Sequence, residues 1–156
     1  MLISGSALPK EFTGKTDKRL VELVDIYPTI LKSIGINTPD ALPGINLLST
    51  EIRDANFCAL HERKKEASFM WRTEEYKLIL RMSRKTNANE YNEADILGGE
   101  FYNLEKDPQE WNNLFGIESV RLQQNKMLND LIDHLKKLGR LNPNSIHFEN
   151  PDHLKL

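Results

Sequence analysis

Residues 21–35 read Val-Glu-Leu-Val-Asp-Ile-Tyr-Pro-Thr-Ile-Leu-Lys-Ser-Ile-Gly, and how this stretch is read decides the fold. Its apolar residues Val24, Tyr27, Ile30, Leu31 and Ile34 recur at spacings of three and four. That pattern predicts a helix over residues 24–34 with the apolar stripe buried. Pro28 has no N–H to donate, so it fits the first turn, where that donor has no intrahelical partner. Asp25 then stands among the free N–H groups of the helix start and is assigned to capping rather than to a metal. Gly35 ends the helix, because glycine enters the left-handed conformation without steric cost.

On the N-terminal side, Leu2-Ile3-Ser4 reads as a short strand. A loop follows, punctuated by Pro9 and Gly14 and solvated by Lys10, Lys15, Lys18 and Arg19. On the C-terminal side, Pro39, Pro43 and Gly44 mark a turn-rich crossing, and residues 46–53 suit one helical turn. Four strands are predicted next, over residues 56–61, 68–72, 76–82 and 100–104. Tyr76, Leu78 and Leu80 alternate with Lys77, Ile79 and Arg81, the pattern of an antiparallel sheet covered on one side. Thr73-Glu74-Glu75 is short enough for a hairpin, whereas residues 83–98 are polar enough for a loop. Asp107-Pro108 breaks the chain, and Trp111, Leu114 and Phe115 offer apolar area to anchor the turn beneath a final helix over residues 118–138. Val120, Met127, Leu128, Leu131, Leu135 and Leu138 form its stripe, with Arg121, Gln124, Asn125, Lys136 and Lys137 set to face water. Gly139 ends that helix, and Pro143 and Pro151 mark residues 140–156 as a tail.

Three pieces of this chain resemble sulfatases, in the family's own order. Leu23-Val24-Asp25-Ile26-Tyr27-Pro28-Thr29-Ile30-Leu31, with Gly35 and then Pro43-Gly44-Ile45-Asn46-Leu47-Leu48, is similar to a late helix followed by a "GxSL" turn. Trp71-Arg72-Thr73-Glu74-Glu75-Tyr76-Lys77-Leu78-Ile79 resembles the family's "xRTxxYKLI" strand pair. Phe101-Tyr102-Asn103-Leu104 through Asp107-Pro108-Gln109-Glu110, with Asn113-Leu114, resembles its "LYDLxxDPxExxNL" element. The resemblance implies the C-terminal part of a sulfatase of the alkaline phosphatase superfamily. The expected fold class is α+β. A helix and edge strand inherited from a larger α/β core (residues 1–48) precede a four-stranded antiparallel sheet packed by a C-terminal helix (residues 49–139), then the tail. The expected partner is an N-terminal catalytic domain of the same protein, with a periplasmic or extracellular location for the whole.

Composition sets outer bounds. A length of 156 residues suits one domain that buries roughly two thirds of its unfolded surface. A net charge of −2 gives no bias toward nucleic acid or an anionic membrane, and no apolar run approaches a membrane span. The opening Met-Leu-Ile-Ser-Gly lacks a basic n-region before an apolar core, so no secretory signal is read there. One cysteine, Cys58, excludes an internal disulfide, and it is read as a small buried hydrophobe.

The chemistry a sulfatase needs is a strong nucleophile, a divalent cation and cations for the leaving oxygen. The family makes its nucleophile, formylglycine, from a C/S-x-P-x-R motif. Cys58 is followed by Leu60 and Glu62 at the Pro and Arg positions, and Ser49 has Glu51 at the Pro position, so neither fits. No catalytic residue and no metal ligand is assigned to this chain. Calcium and formylglycine are expected, by the resemblance, in a missing N-terminal part, and the chain alone is expected to be inactive. Substrate contact is the role left. In the family the small C-terminal sheet lies beside the active-site mouth and closes one side of the cleft. The end of its first strand here reads His61-Glu62-Arg63-Lys64-Lys65, with His61 and Arg63 as candidates for a sulfated small molecule or glycan. The same lysines and arginine also suit a solvated hairpin tip. Arg72 is read as a structural ion-pair partner, Trp71 and Trp111 as core anchors, and His134, His147 and His153 as lacking ligand spacing. No nucleotide, hydrolase or redox motif is present, and 23 acidic residues make chance carboxylate pairs certain. The alternatives are a fragment of a related phosphodiester or phosphonate hydrolase, and a stand-alone binding module. The apolar helix face that would meet the absent domain also suits a homodimer.

Overall fold

The computed structural model describes residues 3–5, 8–39, 42–62, 66–83 and 95–139. The chain divides into two compact units, Met1–Asn56 and Phe57–Leu156.

In the first unit a 3-10 turn, Leu23–Asp25, leads into helix α1, Ile26–Ser33. Pro28 falls in the first turn of α1, and Gly35 ends the helix at φ 78°. The exposed side of α1 is the reverse of the one expected. Val24, Tyr27 (55% exposed), Ile30 and Ile34 (63%) face solvent, and Asp25, Pro28 and Thr29 are buried. The reason is chemical. The inward side is a set of polar groups hydrogen-bonded to the segment around Ile45–Leu47, which leaves the apolar stripe for the opposite side. Of the expected first strand, Leu2 lies outside the described residues, while Ile3 and Ser4 are not in a strand.

The second unit is a four-stranded sheet with a helix laid on it, the α+β arrangement expected. Strands β1 (Asn56–Glu62), β2 (Glu66–Arg72), β3 (Tyr76–Ser83) and β4 (Ile96–Asn103) lie in sequence order, with β2–β3 and β3–β4 antiparallel. Thr73 closes the β2–β3 hairpin. Its N–H donates to the Tyr76 carbonyl at 2.9 Å, and its hydroxyl oxygen accepts the Tyr76 N–H at 3.1 Å. Ala67, Phe69, Leu78, Leu80, Met82 and Phe101 point to one face, as the two-residue period requires. Helix α2, Arg121–Lys137, covers that face with Met127, Leu128, Leu131, Ile132 and Leu135, and Phe115 completes the core. Gly139, at φ 65°, terminates the helix region.

Several expectations need correction here. β4 begins at Ile96 rather than at residue 100, within the stretch read as a loop; residues 84–94 of that stretch lie outside the described residues. Within β4, Gly99 is a packing requirement. A Cβ on Gly99 would sit 2.6 Å from the Phe115 ring and 2.7 Å from the Ile79 carbonyl oxygen. Gln124 is buried, not solvated, because its Oε1 accepts the Gly116 N–H at 2.7 Å. Leu138 is exposed beyond the end of α2. Trp111 is 82% exposed, since Leu114 and Phe115 alone fill the space beneath the helix. Cys58 is exposed on β1, the terminal strand of the sheet. Arg72 is exposed and forms no ion pair with a described residue.

Candidate functional site

The residues read as substrate contacts belong to the end of β1. His61 is the sixth residue of that strand, and Arg63 lies outside the described residues, as do Lys64 and Lys65.

The densest polar constellation is in the first unit, and the sequence reading assigned only one of its members. The Asp25 carboxylate is wholly buried and meets three groups: the Glu22 N–H at 2.7 Å, the Ile45 N–H at 2.9 Å, and the Arg53 guanidinium, whose other terminal nitrogen meets Glu22. The Glu22 side chain in turn accepts from the backbone N–H of Asp25, so the two acids form a reciprocal capping box. The capping role read for Asp25 is correct, and Arg53 is the counter-charge that makes its burial possible. Thr29 extends the array, donating its hydroxyl to the Asp25 carbonyl at 2.6 Å and accepting the Leu47 N–H at 2.9 Å.

Arg19 fastens the far end of the same turn. Its guanidinium donates to the carbonyls of Ser49 (2.7 Å), Glu51 (2.7 Å) and Leu47 (3.0 Å), and Asp17 holds it from behind through Nε at 2.7 Å. That hydrogen bond from Arg19 holds the Asp17 carboxyl below its ordinary range. Gly44 is where the turn touches the helix start, since a Cβ there would lie 2.2 Å from the Val24 carbonyl oxygen. The sequence "PGINLL" is therefore a clasp, and its donors are spent on the chain itself. Beside it, Leu8, Phe12, Val21 and Leu47 line a cleft of about 300 Å³.

The second unit spends its motif residues in the same way. Asp107 Oδ2 accepts the Asn112 N–H at 2.8 Å, and these backbone donors hold its carboxyl low. Glu110, in the left-handed region at φ 59°, ion-pairs with Lys77 at 2.6 Å. Asn113 accepts the N–H groups of Phe101 (3.0 Å) and Phe115 (2.9 Å) and donates to the Gly99 carbonyl at 3.2 Å, standing in for a strand along the outer edge of β4. Tyr102 donates its phenol to Glu100 at 2.9 Å, and burial, reinforced by that bond, pushes it up to about 12.

The family model described as N-sulphoglucosamine sulphohydrolase, C-terminal, matches residues 5–138. The chain belongs to this family. No curated protein matches it. Among solved structures it is similar to a 2-O GAG sulfatase at a TM-score of 0.59 and 20% identity, over 72% of this chain and 24% of that one. It is also similar to a protein solved in complex with its substrate, D-glucosamine-2-N,6-O-disulfate, at a TM-score of 0.57 and 23% identity, over 84% and 25%. The N-sulphoglucosamine sulphohydrolase C-terminal fold thus spans about a quarter of each of these chains.

Within this member of the family, the Asp25 carboxylate is already engaged by Arg53 and a backbone N–H, and the Asp107 carboxylate by a backbone N–H. Among the described residues, no group of three or more His, Cys, Asp or Glu side chains is placed to hold a metal ion. They do not fit the calcium that a sulfatase requires. Nor is any described helix long and apolar enough to cross a membrane.

Two missed residues differ in how readable they were. The Glu22-x-x-Asp25 spacing is an acidic variant of the capping-box signature and announces the reciprocal cap. Arg53 is 28 residues from Asp25, and no local pattern connects them.

Proposed function

We propose that this chain is the C-terminal part of a sulfuric ester hydrolase. It docks through the apolar side of α1 onto an N-terminal α/β domain that carries the formylglycine nucleophile and calcium. The observation that supports docking is the arrangement of α1: Val24, Tyr27, Ile30 and Ile34 are exposed while the opposite side is fixed by hydrogen bonds to its own turn. Such a contiguous apolar stripe is costly in water and marks an interaction surface. In this reading the second unit closes one side of the substrate cleft, and His61 and Arg63 at the end of β1 contact a sulfated sugar. An arginine fork suits the planar pairing of oxygens on an anionic group. Alone, the chain does not turn over sulfate esters.

The test is complementation. The upstream coding sequence is read for C/S-x-P-x-R, and its product is expressed with this chain in cells able to form formylglycine. Sulfatase activity is expected only when both parts are present. Tyr27→Asp is expected to prevent their association, whereas Arg63→Ala raises KM for the sulfated sugar and spares assembly. Aryl sulfate turnover by the purified chain alone, or an unrelated upstream frame, overturns the reading.

A further inference from the structure

The cleft beside the clasp is built on the hydrogen bonds that fix the turn. Leu47, the buried part of its lining, is pinned at both ends. Its N–H donates to the Thr29 hydroxyl oxygen at 2.9 Å, and its carbonyl accepts from Arg19 at 3.0 Å. Phe12 ends the 3-10 turn Lys10–Phe12, where its own N–H donates to the Pro9 carbonyl at 3.0 Å. Leu8 and Val21 add apolar wall. Walls fixed in this way need little ordering when something binds between them. Charge on the lining is one-sided. Of the described residues there, only Lys15 and Asp17 are charged. Asp17 is spent on Arg19, whose backbone N–H reaches it at 2.9 Å and whose Nε reaches it at 2.7 Å. Lys15 is exposed and forms no ion pair or hydrogen bond with a described residue. Next to it in sequence, Thr16 brings a hydroxyl to the same lining.

From this we infer that the cleft is a binding site for a small aryl carboxylate, its rings between Phe12 and Leu47 and its anionic end at Lys15. Each part of that ligand answers a part of the lining. The apolar walls take an apolar body, and Phe12, the one aromatic among them, favours a ring. A volume of about 300 Å³ sits at the small end of the range for ligand sites. At roughly 30 Å³ for each non-hydrogen atom, it holds about ten of them, the size of two fused rings. The Lys15 ammonium and the Thr16 hydroxyl offer two donors for the two oxygens of a carboxylate. A cationic ligand would meet Lys15 with the neighbouring acid already neutralised by Arg19. A neutral one would leave the charge unanswered. This site stands apart from sulfate ester hydrolysis, since its ligand carries no ester and its test needs no N-terminal part.

Three probes with the same rings and different charge test it on the whole chain: naphthalene-2-carboxylate, naphthalene-2-carboxamide and 2-naphthylmethylammonium. Each is titrated at pH 7 while the backbone amide resonances are followed. The carboxylate is expected to give saturable shifts at Phe12, Thr16 and Leu47, and to bind more tightly than the amide and the ammonium in that order. Lys15→Glu alters an exposed residue and leaves the fold alone. It is expected to weaken the carboxylate about three- to tenfold, because an exposed attraction becomes a repulsion, and to strengthen the ammonium by a similar factor. Absence of saturable shifts from the carboxylate overturns the inference. Equal affinity for the three probes also overturns it, as does a carboxylate affinity that Lys15→Glu leaves unchanged. Shifts confined to Tyr27, Ile30 and Ile34 overturn it too, because they assign the rings to the α1 stripe instead.

Discussion

The carboxylate of Asp25 and the guanidinium of Arg53 meet inside the first unit, the acid with no exposed side-chain area and the arginine with 13%. Glu22 takes the second arm of the same guanidinium, so one cation serves two anions. Breaking a buried pair costs more than the pair contributes, because the survivor is left charged and unsolvated. Arg53→Ala is therefore expected to destabilise the first unit by about 3–5 kcal/mol. Amide exchange read residue by residue should show the loss at α1, while the β3 and β4 amides keep their protection. Pairing Arg53→Met with Asp25→Asn should recover part of it, since the wholly buried carboxylate is then removed together with its counter-charge and only Glu22 is left unpaired by Arg53.

Gly44 and Gly99 are fixed by contact rather than by conformation. A methyl group at Gly44 meets the Val24 carbonyl at 2.2 Å, and one at Gly99 meets Phe115 and the Ile79 carbonyl. Backbone cannot step aside as a flexible side chain can. Gly44→Ala and Gly99→Ala are each expected to cost about 1–3 kcal/mol, the usual range for overpacking. Urea denaturation followed separately in each unit checks this, and equal stability of Gly44→Ala with the parent would show that the turn can lift from the helix.

Acid should loosen the Arg19 clasp first at Asp17. Its folded carboxyl is held below the ordinary value of 3.8 by the Arg19 hydrogen bond. A depressed acid stabilises the fold at pH values above its unfolded pKa, and that contribution fades as pH falls through the lower, folded value. The stability gap between the parent and Asp17→Asn should accordingly be widest near neutrality and shrink below pH 3.8. Melting curves collected across that range supply the comparison.

Alkali acts on the second unit through Tyr102. Burial and the bond to Glu100 raise its phenol from 10 to about 12, favouring the neutral form in the folded state. Its contribution is complete below pH 10 and is lost as pH climbs toward 12. Tyr102→Phe is expected to remove that alkaline sensitivity. It should also delete a phenolate absorbance step near pH 12, and persistence of the step in the variant would assign it to another tyrosine.

What could be read from residue order was whatever is local or periodic. The β2–β3 hairpin, the stripe of α2 and the glycine stops at Gly35 and Gly139 are written in adjacent residues, and all are present. The α1 stripe was equally legible, but a periodic pattern states that a side wants cover without naming who supplies it. Among the described residues nothing covers it, and Tyr27 is exposed. Gln124 and Arg53 escaped for a different reason: a polar residue goes inside when a distant partner awaits it, here Gly116 N–H and Asp25. Trp111 shows the converse, an aromatic whose neighbours Leu114 and Phe115 had already filled the core. Of the candidate site, the cap at Asp25 could be foreseen, while His61 and Arg63 rest on the family pattern alone.

The hydroxyl of Thr29, giving its hydrogen to one carbonyl and receiving another from Leu47, lets the helix and its turn recognise each other without grease. Because polar chemistry settles the intramolecular fit, the oily flank of α1 need not be consumed while the polypeptide matures. A segment built on that plan acquires its shape first and keeps an oily surface for whatever it meets afterwards.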